Sequence, residues 1–441
     1  MNMTDGPLLK PILLFAVPLA LSNVLQLLFN AADMVVVGRF SGNTALAAVG
    51  STTSLIHLFT NLFLGFAVGV NVLYAHYIGA DDKKNKKETM DTAVVMSLVC
   101  GLALTVLAVL TSGLMLVKMG TPEEVLAPST LYLRIYFLGM PAMLFYNFGS
   151  SILRAAGDTK HPLAFLTIAG VINVVLNLIF VVGFKLSVAG VALATVISQT
   201  ISALLMLKCL ITFEDDVKLD LKDMKPTADK VMRILRIGVP AGIQGMLFSF
   251  SNVLIQSSIN SLGSMIMAGN AAAANIENFV YISMNAVSQT CISFVSQNHG
   301  ARKPDRVLRT IKTSLILVTI TGLCLGIFVN VFRTPLLSLY TGDAAVVACG
   351  KPRLLYLCLP DFLCGVMEVL GQSVRGLGYS TAPMAVTLTG ACLLRILWVF
   401  TVFATLGTIE SLYLSYPISW AATAIAHLIC LKILFKKAFS F

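Results

Sequence analysis

Long apolar stretches recur from one end of the chain to the other, separated by short polar loops. Each has about 20 residues or more, the length that an α-helix needs to cross a bilayer. Glycine and proline within the stretches do not exclude helices, because both are tolerated in membrane spans. The pattern predicts an all-α membrane protein with twelve transmembrane helices, near residues 11–37, 46–78, 91–117, 130–152, 163–183, 189–212, 234–258, 268–298, 311–333, 352–373, 383–405 and 412–435.

The second half of the chain repeats the first at an offset of half its length. The matching positions include Gly79 with Gly300, Gly101 with Gly322, Arg154 with Arg375 and Gly157 with Gly378. Six is an even number of spans, so the repeat predicts two parallel six-helix lobes related by a pseudo-two-fold axis along the membrane normal. We predict an N-lobe at 1–213, a solvated cytoplasmic linker at 214–232 and a C-lobe at 233–441.

Composition and charge support a membrane location. The chain is 57% hydrophobic and 12% charged, whereas soluble domains are about 25% charged. The net charge of +10 comes mainly from short loops such as 83–87 and 302–309, which is the bias that sets topology rather than a nucleic-acid surface. We expect a multi-pass protein of the plasma (inner) membrane with both termini in the cytoplasm, and no nucleic-acid partner.

The chain has no signature of an enzyme or of a resident cofactor. Its nine cysteines form no C-x-x-C pair, and most lie inside predicted spans, which favours packing over a metal site or disulfides. A phosphate-binding loop, a nucleophile elbow and an H-E-x-x-H motif are all lacking. We therefore expect no enzymatic activity and no cofactor, and energy that comes from an ion gradient or from a partner. We also expect a monomer.

Carboxylates inside predicted spans are candidates for function, because placing one at the bilayer centre costs about 2.5–3.5 kcal/mol. Asp33 ends a stretch in which Asn30 and Gln26 recur at helical spacing. This stripe predicts an interior-facing surface with a carboxylate that binds a cation or a proton. The alternative is an aspartate at a helix end, close to the outer water.

Two asparagines in the fifth span form a second polar feature. Asn173 and Asn177 lie one turn apart on one helix face, and Thr195 lies in the sixth span. Amide oxygens beside a carboxylate suit a hard cation or a proton. The alternative is interhelical hydrogen bonding, worth about 0.6 kcal/mol per bond, and the spacing alone does not decide between the two.

The second half carries Glu277, Glu368 and Arg395 within its spans. Buried charges are expected to pair with one another, so these three predict either a structural Glu–Arg pair or a second coupling or substrate-binding site. In the first span, Pro18 interrupts the helical hydrogen bonds and predicts either a static kink or a hinge.

Several motifs together resemble the multidrug and toxic compound extrusion (MATE) family. They are the D-x-x-x-x-G opening from Asp33 to Gly38, the Gly-Ala loops after spans 2 and 8, and the R-x-x-G-x-x-x-x-P loops after spans 4 and 10. The resemblance covers essentially the whole chain. It implies a MATE/MOP-type fold whose V-shaped lobes rock between inward- and outward-open states. It also implies an antiporter that exports cationic amphipathic drugs in exchange for H⁺ or Na⁺.

Within the family, the residues resemble the DinF-like branch more than the NorM-like branch. The resemblance implies a cation site at Asp33, Asn173, Asn177 and Thr195, and a bending proline at Pro18. The chain departs from that branch at Asn177, where the branch has aspartate, and this leaves the coupling ion open. The NorM-like glutamate of span 7 is lacking, and a lipid-linked oligosaccharide flippase of the same superfamily is the alternative function.

Overall fold

The structure, a computed structural model, describes residues 3–213, 217–260 and 262–439, and the regular secondary structure of these residues is helical. The predicted all-α fold is confirmed, since these residues form no strand. The helices are α1 Leu9–Phe40, α2 Gly42–Gly79, α3 Lys83–Lys118, α4 Glu123–Leu138, α5 Met140–Ala155, α6 Lys160–Gly183, α7 Ser187–Ile211, α8 Ala228–Asn260, α9 Ser264–Gly300, α10 Pro304–Val331, α11 Arg333–Ser338, α12 Ala344–Arg353, α13 Phe362–Gly376, α14 Thr381–Leu406 and α15 Ile409–Phe439.

Every predicted span overlaps at least one of these helices. The fourth and the eighth predicted spans differ from a single, strongly apolar helix. Nine of the described helices are long and apolar enough to cross a membrane. A tenth span consists of α12, continued in π-helical form to Cys358, and α13, with a bend of 41° between them. The fourth predicted span is divided between α4 and α5 at Gly139, which leaves 16 residues in each helix. The eighth predicted span, α9, is one helix of 37 residues whose many amide side chains lower its hydropathy.

The sequence repeat is also a repeat of backbone conformation. Asp81 and Arg302, which follow the two Gly-Ala loops, both have a φ of 53°. Gly157 and Gly378 have φ values of 89° and 90°. A positive φ is uncommon for a residue with a side chain, so its presence at both matching loops shows that the two halves turn their chain in the same way.

Repeated glycines allow helices to cross closely. A Cβ atom added to Gly101 of α3 would lie 2.5 Å from the Cα of Pro141 in α5. At the matching position of the second half, a Cβ on Gly322 of α10 would lie 2.8 Å from the Cα of Phe362 in α13. Small residues that let backbones approach are typical of membrane helix interfaces, so these two glycines determine equivalent crossings.

We expect Gly101→Ala to lower the free energy of unfolding by about 1–3 kcal/mol, since the added methyl group must displace backbone. Gly113 of the same helix is the matched control, because a Cβ there meets only the Thr130 side chain at 3.7 Å. Gly113→Ala should be neutral or stabilising through helix propensity. Thermal melting of the two variants in detergent tests this; equal melting temperatures would contradict the close crossing.

Packing groups the chain differently from the sequence halves. The N-unit comprises the described residues of Leu21–Gly242, and the C-unit comprises residues 3–20 together with those from Ile243 onward. The divisions fall inside α1 and α8, shortly after Pro18 and Pro240. The predicted boundaries at 213 and 233 describe the two homologous halves of the sequence, and they stay a prediction.

The described part of the predicted linker is largely exposed and is anchored to the N-unit at a few positions. Val217 and Leu219 are 5% and 2% exposed. The backbone amide of Lys225 donates to Asp91 Oδ2 at 3.1 Å, and that of Thr227 donates to Thr92 Oγ1 at 3.1 Å. Apolar burial and these hydrogen bonds offset the entropy lost in ordering the segment. Residues 214–216 lie outside the described residues.

The N-terminal segment is held by the C-unit. The Arg306 guanidinium donates to the carbonyl oxygens of Met3, Asp5 and Gly6 at 3.1, 2.8 and 2.8 Å. The Lys303 ammonium lies 2.7 Å from Asp5 Oδ1. These bonds hold the chain just before α1, which explains why the first turns of that helix belong to the C-unit.

Candidate functional site

A carboxylate–amide network joins α1, α6 and α7 within the N-unit. Asn177 donates through Nδ2 to Asp33 Oδ1 and, at 3.2 Å, to Asn173 Oδ1. Asn173 in turn donates to Thr195 Oγ1 at 3.4 Å, and Thr195 donates to the carbonyl of Val191 at 3.0 Å. The structure therefore brings together the four residues that the sequence proposed as a coupling site.

The local structure of α6 presents both asparagines to α1 and α7. Their spacing of four residues places them on one helix face, and both are buried, with exposed fractions of 5% for Asn173 and 0% for Asn177. From Leu178 to Gly183 the helix continues in π-helical form. π-Helical turns are rare and are frequent at functional sites, and this one begins directly after Asn177.

One acceptor in the network has no donor. The Asn177 Oδ1 atom is buried and has no hydrogen-bond partner among the described residues. A buried polar group without a partner costs free energy, so a proton on Asp33 or a bound cation would stabilise the site. The Asp33 carboxylate and the Asn177 Oδ1 atom offer oxygen acceptors, which is the chemistry that hard cations prefer.

The predicted polar stripe on α1 is only partly buried. Asp33 is half-buried, whereas Gln26 and Asn30 are exposed. No hydrogen bond joins Gln26 to another described residue. The Asp33 end of the stripe meets α6, and the orientation of the rest of the stripe toward the protein interior stays a prediction.

In the C-unit, Glu277 forms a buried ion pair with Arg353. The Glu277 Oε2 atom accepts from Arg353 Nε at 2.8 Å and from Nη2 at 2.7 Å. The side chains are 16% and 9% exposed. Arg353 Nη1 also donates to Asn270 Oδ1 at 2.7 Å, and Tyr413 donates to the same oxygen at 2.9 Å. This network joins α9, α12 and α15.

The predicted pairing among Glu277, Glu368 and Arg395 is therefore wrong. Arg395 is 1% exposed and donates through Nε to Ser419 Oγ at 2.8 Å, and no described carboxylate lies within ion-pair distance of it. Glu368 is half-buried and forms no ion pair with a described residue. Glu277 pairs instead with Arg353 of α12.

Sequence reasoning did not consider two charged residues of the C-unit. Arg353 lies near the start of the tenth predicted span, where a cation is usually read as a flanking charge. Asp361 follows Pro360 at the bend between α12 and α13, is 1% exposed, and has a buried Oδ2 atom without a described hydrogen-bond partner. Asp361 lies inside an otherwise apolar segment, and that signal could have found it, whereas Arg353 follows Lys351 at the edge of its segment.

Pro18 lies within α1, where the sequence predicted a kink or a hinge. Its hinge role stays a prediction. The described residues contain no group of three His, Cys, Asp or Glu side chains that would hold a metal ion. A cation at the Asp33 network would thus depend on amide and hydroxyl oxygens beside one carboxylate.

The membrane-length helices define a multi-pass membrane protein, which holds a carboxylate–amide network in one packed unit and a buried ion pair in the other. The family model for MatE matches residues 18–179 and again residues 240–401, so that each half of the chain is matched once. The chain belongs to the MATE family.

Curated relatives and solved structures agree with this assignment. The chain is 30% identical over 386 residues to the probable multidrug resistance protein YoeA of Bacillus subtilis, covering 85% of this chain and 82% of that protein. It is 22% identical to the multidrug export protein MepA of Staphylococcus aureus, with 96% and 94% covered. A MOP superfamily transporter from Pyrococcus furiosus superposes with a TM-score of 0.92 at 21% identity, covering 100% of this chain and 98% of that one. This last similarity shows the fold alone.

Proposed function

We propose that the protein is a secondary active multidrug efflux antiporter. It exports cationic amphipathic compounds in exchange for H⁺ or Na⁺, by rocker-switch alternating access. The observation that carries the proposal is the buried network of Asp33, Asn173, Asn177 and Thr195. In it, the amide that donates to the Asp33 carboxylate has an oxygen atom that accepts no hydrogen bond. Relatives named for multidrug resistance and multidrug export support the choice of substrate class.

The network provides a way to couple an ion to a conformational change. A proton or Na⁺ at Asp33 neutralises the one carboxylate of α1, and α6 and α7 have none. Once protonated, Asp33 would donate a hydrogen bond, and Asn177 would then offer Oδ1 instead of Nδ2 by rotating its amide. The ion biases the transporter only by the difference between its binding free energies in the two states.

The residues at this site favour the DinF-like branch of the family, with Asn177 as the departure from it. The positions of the basic loops favour a plasma-membrane protein with both termini in the cytoplasm. The flippase alternative is not favoured, since the relatives reported above carry names of drug resistance and drug export.

Transport by the purified protein in proteoliposomes tests the proposal. We expect a cationic dye such as ethidium to move against its gradient when an opposing H⁺ gradient or an opposing Na⁺ gradient is imposed, with each gradient applied alone. Substrate-stimulated movement of one ion identifies the coupling ion. Dye movement that responds to neither gradient, or movement of a fluorescent lipid-linked sugar in its place, would contradict the antiporter.

A further inference from the structure

Each packed unit holds the segment that leads into the first helix of the other half of the sequence. Residues 3–6, just before α1, bind the start of α10 in the C-unit. Residues 217–227, just before α8, bind the first turns of α3 in the N-unit. The sequence repeat aligns Gly79 with Gly300, so the starts of α3 and α10 are equivalent places in the two halves. The arrangement is therefore reciprocal.

In the C-unit, side chains at the start of α10 donate to the backbone of residues 3–6. Arg306 donates to three of the carbonyl oxygens, as described above, and Lys303 Nζ donates to the fourth, that of Thr4, at 3.0 Å. All four carbonyl oxygens of the segment thus accept from a charged donor. Hydrogen bonds with an ionised partner are roughly twice as strong as neutral ones, so the segment is held through its backbone.

In the N-unit, α3 offers acceptors instead. Asp91 and Thr92 accept from backbone amides of the linker, as described above. Asn85 Oδ1 accepts from Lys230 Nζ, near the start of α8, at 2.6 Å. In the repeat, Asn85 occupies the position of Arg306, so one unit has an acceptor where the other has a donor. Because the polarity is reversed, each unit favours its own segment over the other one.

Apolar packing continues the attachment along the first halves of α1 and α8. Met3 and Phe15 are fully buried in the C-unit, and the Phe15 ring meets that of Phe294 of α9 edge-on, with 5.8 Å between centroids. In the N-unit, a Cβ atom added to Gly69 of α2 would lie 2.4 Å from the carbonyl oxygen of Ile234 of α8. Small residues that let backbones approach are typical of membrane helix interfaces. The first half of each helix therefore packs with the unit that holds its leading segment.

We propose that residues 3–6, the α1 latch, and residues 217–227, the α8 latch, keep the first halves of these helices bound to their units in every state of the transport cycle. The conformational change is then taken up inside α1 and α8, where the units divide between residues 20 and 21 and between residues 242 and 243. The linker does not act as the flexible joint. The inference rests on the alternating access of the proposed function and specifies which parts move together.

Hydrogen exchange of the full-length protein in detergent, followed by mass spectrometry, tests where the protein bends. It is measured at pH 6 and pH 8, with and without Na⁺ and ethidium, and corrected for the pH dependence of chemical exchange. We expect peptides covering the α8 latch and residues 8–15 to stay within about twofold in every condition. Peptides covering residues 17–24 and 239–246 should change more. Latch peptides that change with the conditions would show that the latches open, and would overturn the proposal.

Thr92→Val removes the acceptor of the Thr227 amide from the α8 latch. We expect exchange of the latch peptide to become about two- to tenfold faster. The initial rate of ethidium export in proteoliposomes should fall by a similar factor, about two- to tenfold, at unchanged Kd for the dye. Thr89→Val is the matched control: Thr89 is equally buried and donates to the carbonyl of Asn85 at 2.7 Å, yet no described bond joins it to the latch. It should match the wild type in both measurements.

Arg306→Gln removes the charged donor of the α1 latch. We expect faster exchange of residues 8–15 and a rate of export lowered by about three- to tenfold, again at unchanged Kd. Arg309→Gln is the control, because Arg309 lies one turn further along α10, is exposed and forms no hydrogen bond with a described residue. Its exchange and export should equal those of the wild type.

The outcomes separate this inference from the proposed function. If Thr92→Val and Arg306→Gln loosen the latches but export dye at the wild-type rate per folded protein, the segments have a structural role only and the proposal is wrong. Unchanged exchange at the divisions in protein that exports dye would overturn it too. If the wild type exports no dye in either gradient, the antiporter fails, while exchange across the conditions still decides where the protein bends.

Discussion

Asp33→Asn is expected to abolish gradient-driven export while the protein still inserts and folds. The substitution keeps the size of the side chain and its ability to accept a hydrogen bond from Asn177, but the amide can neither take up a proton nor supply a negative charge for a cation. Without that charge, the coupling ion no longer binds this site more tightly in one conformational state than in the other. The imposed ion gradient then cannot drive the conformational change. Dye accumulation in proteoliposomes should fall to the level of protein-free vesicles, in either gradient.

The matched control for this experiment is Asp343→Asn. Asp343 is exposed and caps α12 by accepting a hydrogen bond from the backbone amide of Ala345 at 2.8 Å. Asparagine caps a helix about as well as aspartate, so this variant should export dye like the wild type. Export by Asp33→Asn at the wild-type rate would exclude the proposed coupling site, whereas binding of the dye to that variant would show that the fold is intact.

Arg353→Met is expected to destabilise the C-unit strongly. The Glu277 carboxylate would stay buried without its partner, and breaking a buried ion pair in this way costs about 3–5 kcal/mol. Asn270 would lose a donor at the same time. A large fall of the melting temperature in detergent, together with lower yield of folded protein, is the predicted result.

The double variant Arg353→Met/Glu277→Gln should recover most of that loss, because removing both charges leaves no uncompensated ion. Lys225→Met is the control for losing a surface pair: Lys225 and Asp223 are exposed, 2.8 Å apart, and exposed pairs contribute little. Its melting temperature should equal that of the wild type. A double variant as unstable as Arg353→Met would show that the cost comes from lost packing rather than from the unpaired charge.

The two candidate sites differ in how far the sequence predicted them. Asn173 and Asn177 share a helix face at any position of α6, so their proximity to each other followed from helical spacing alone. Their contact with Asp33 depends on how α1 packs on α6, and the resemblance to the MATE family supplied that step. Their role in coupling stays a prediction, as do those of Gln26, Glu277, Glu368 and Arg395.

In the C-unit the same reasoning failed, because a pairing between charges on different helices depends on helix rotation and crossing. Glu277 pairs with Arg353 rather than with Arg395. No periodicity within a single helix carries that information.

The amino-acid sequence by itself determined the all-helical membrane fold and the duplicated architecture. These follow from the length of apolar segments and from glycines at matching positions, and both are local properties of the chain. Only the tertiary structure decided which buried charges meet, that the divisions between packed units fall inside α1 and α8, and that each unit holds the segment leading into the first helix of the other half. The physical reason is that desolvated polar groups acquire partners from other helices, and those partners exist only once the helices have packed.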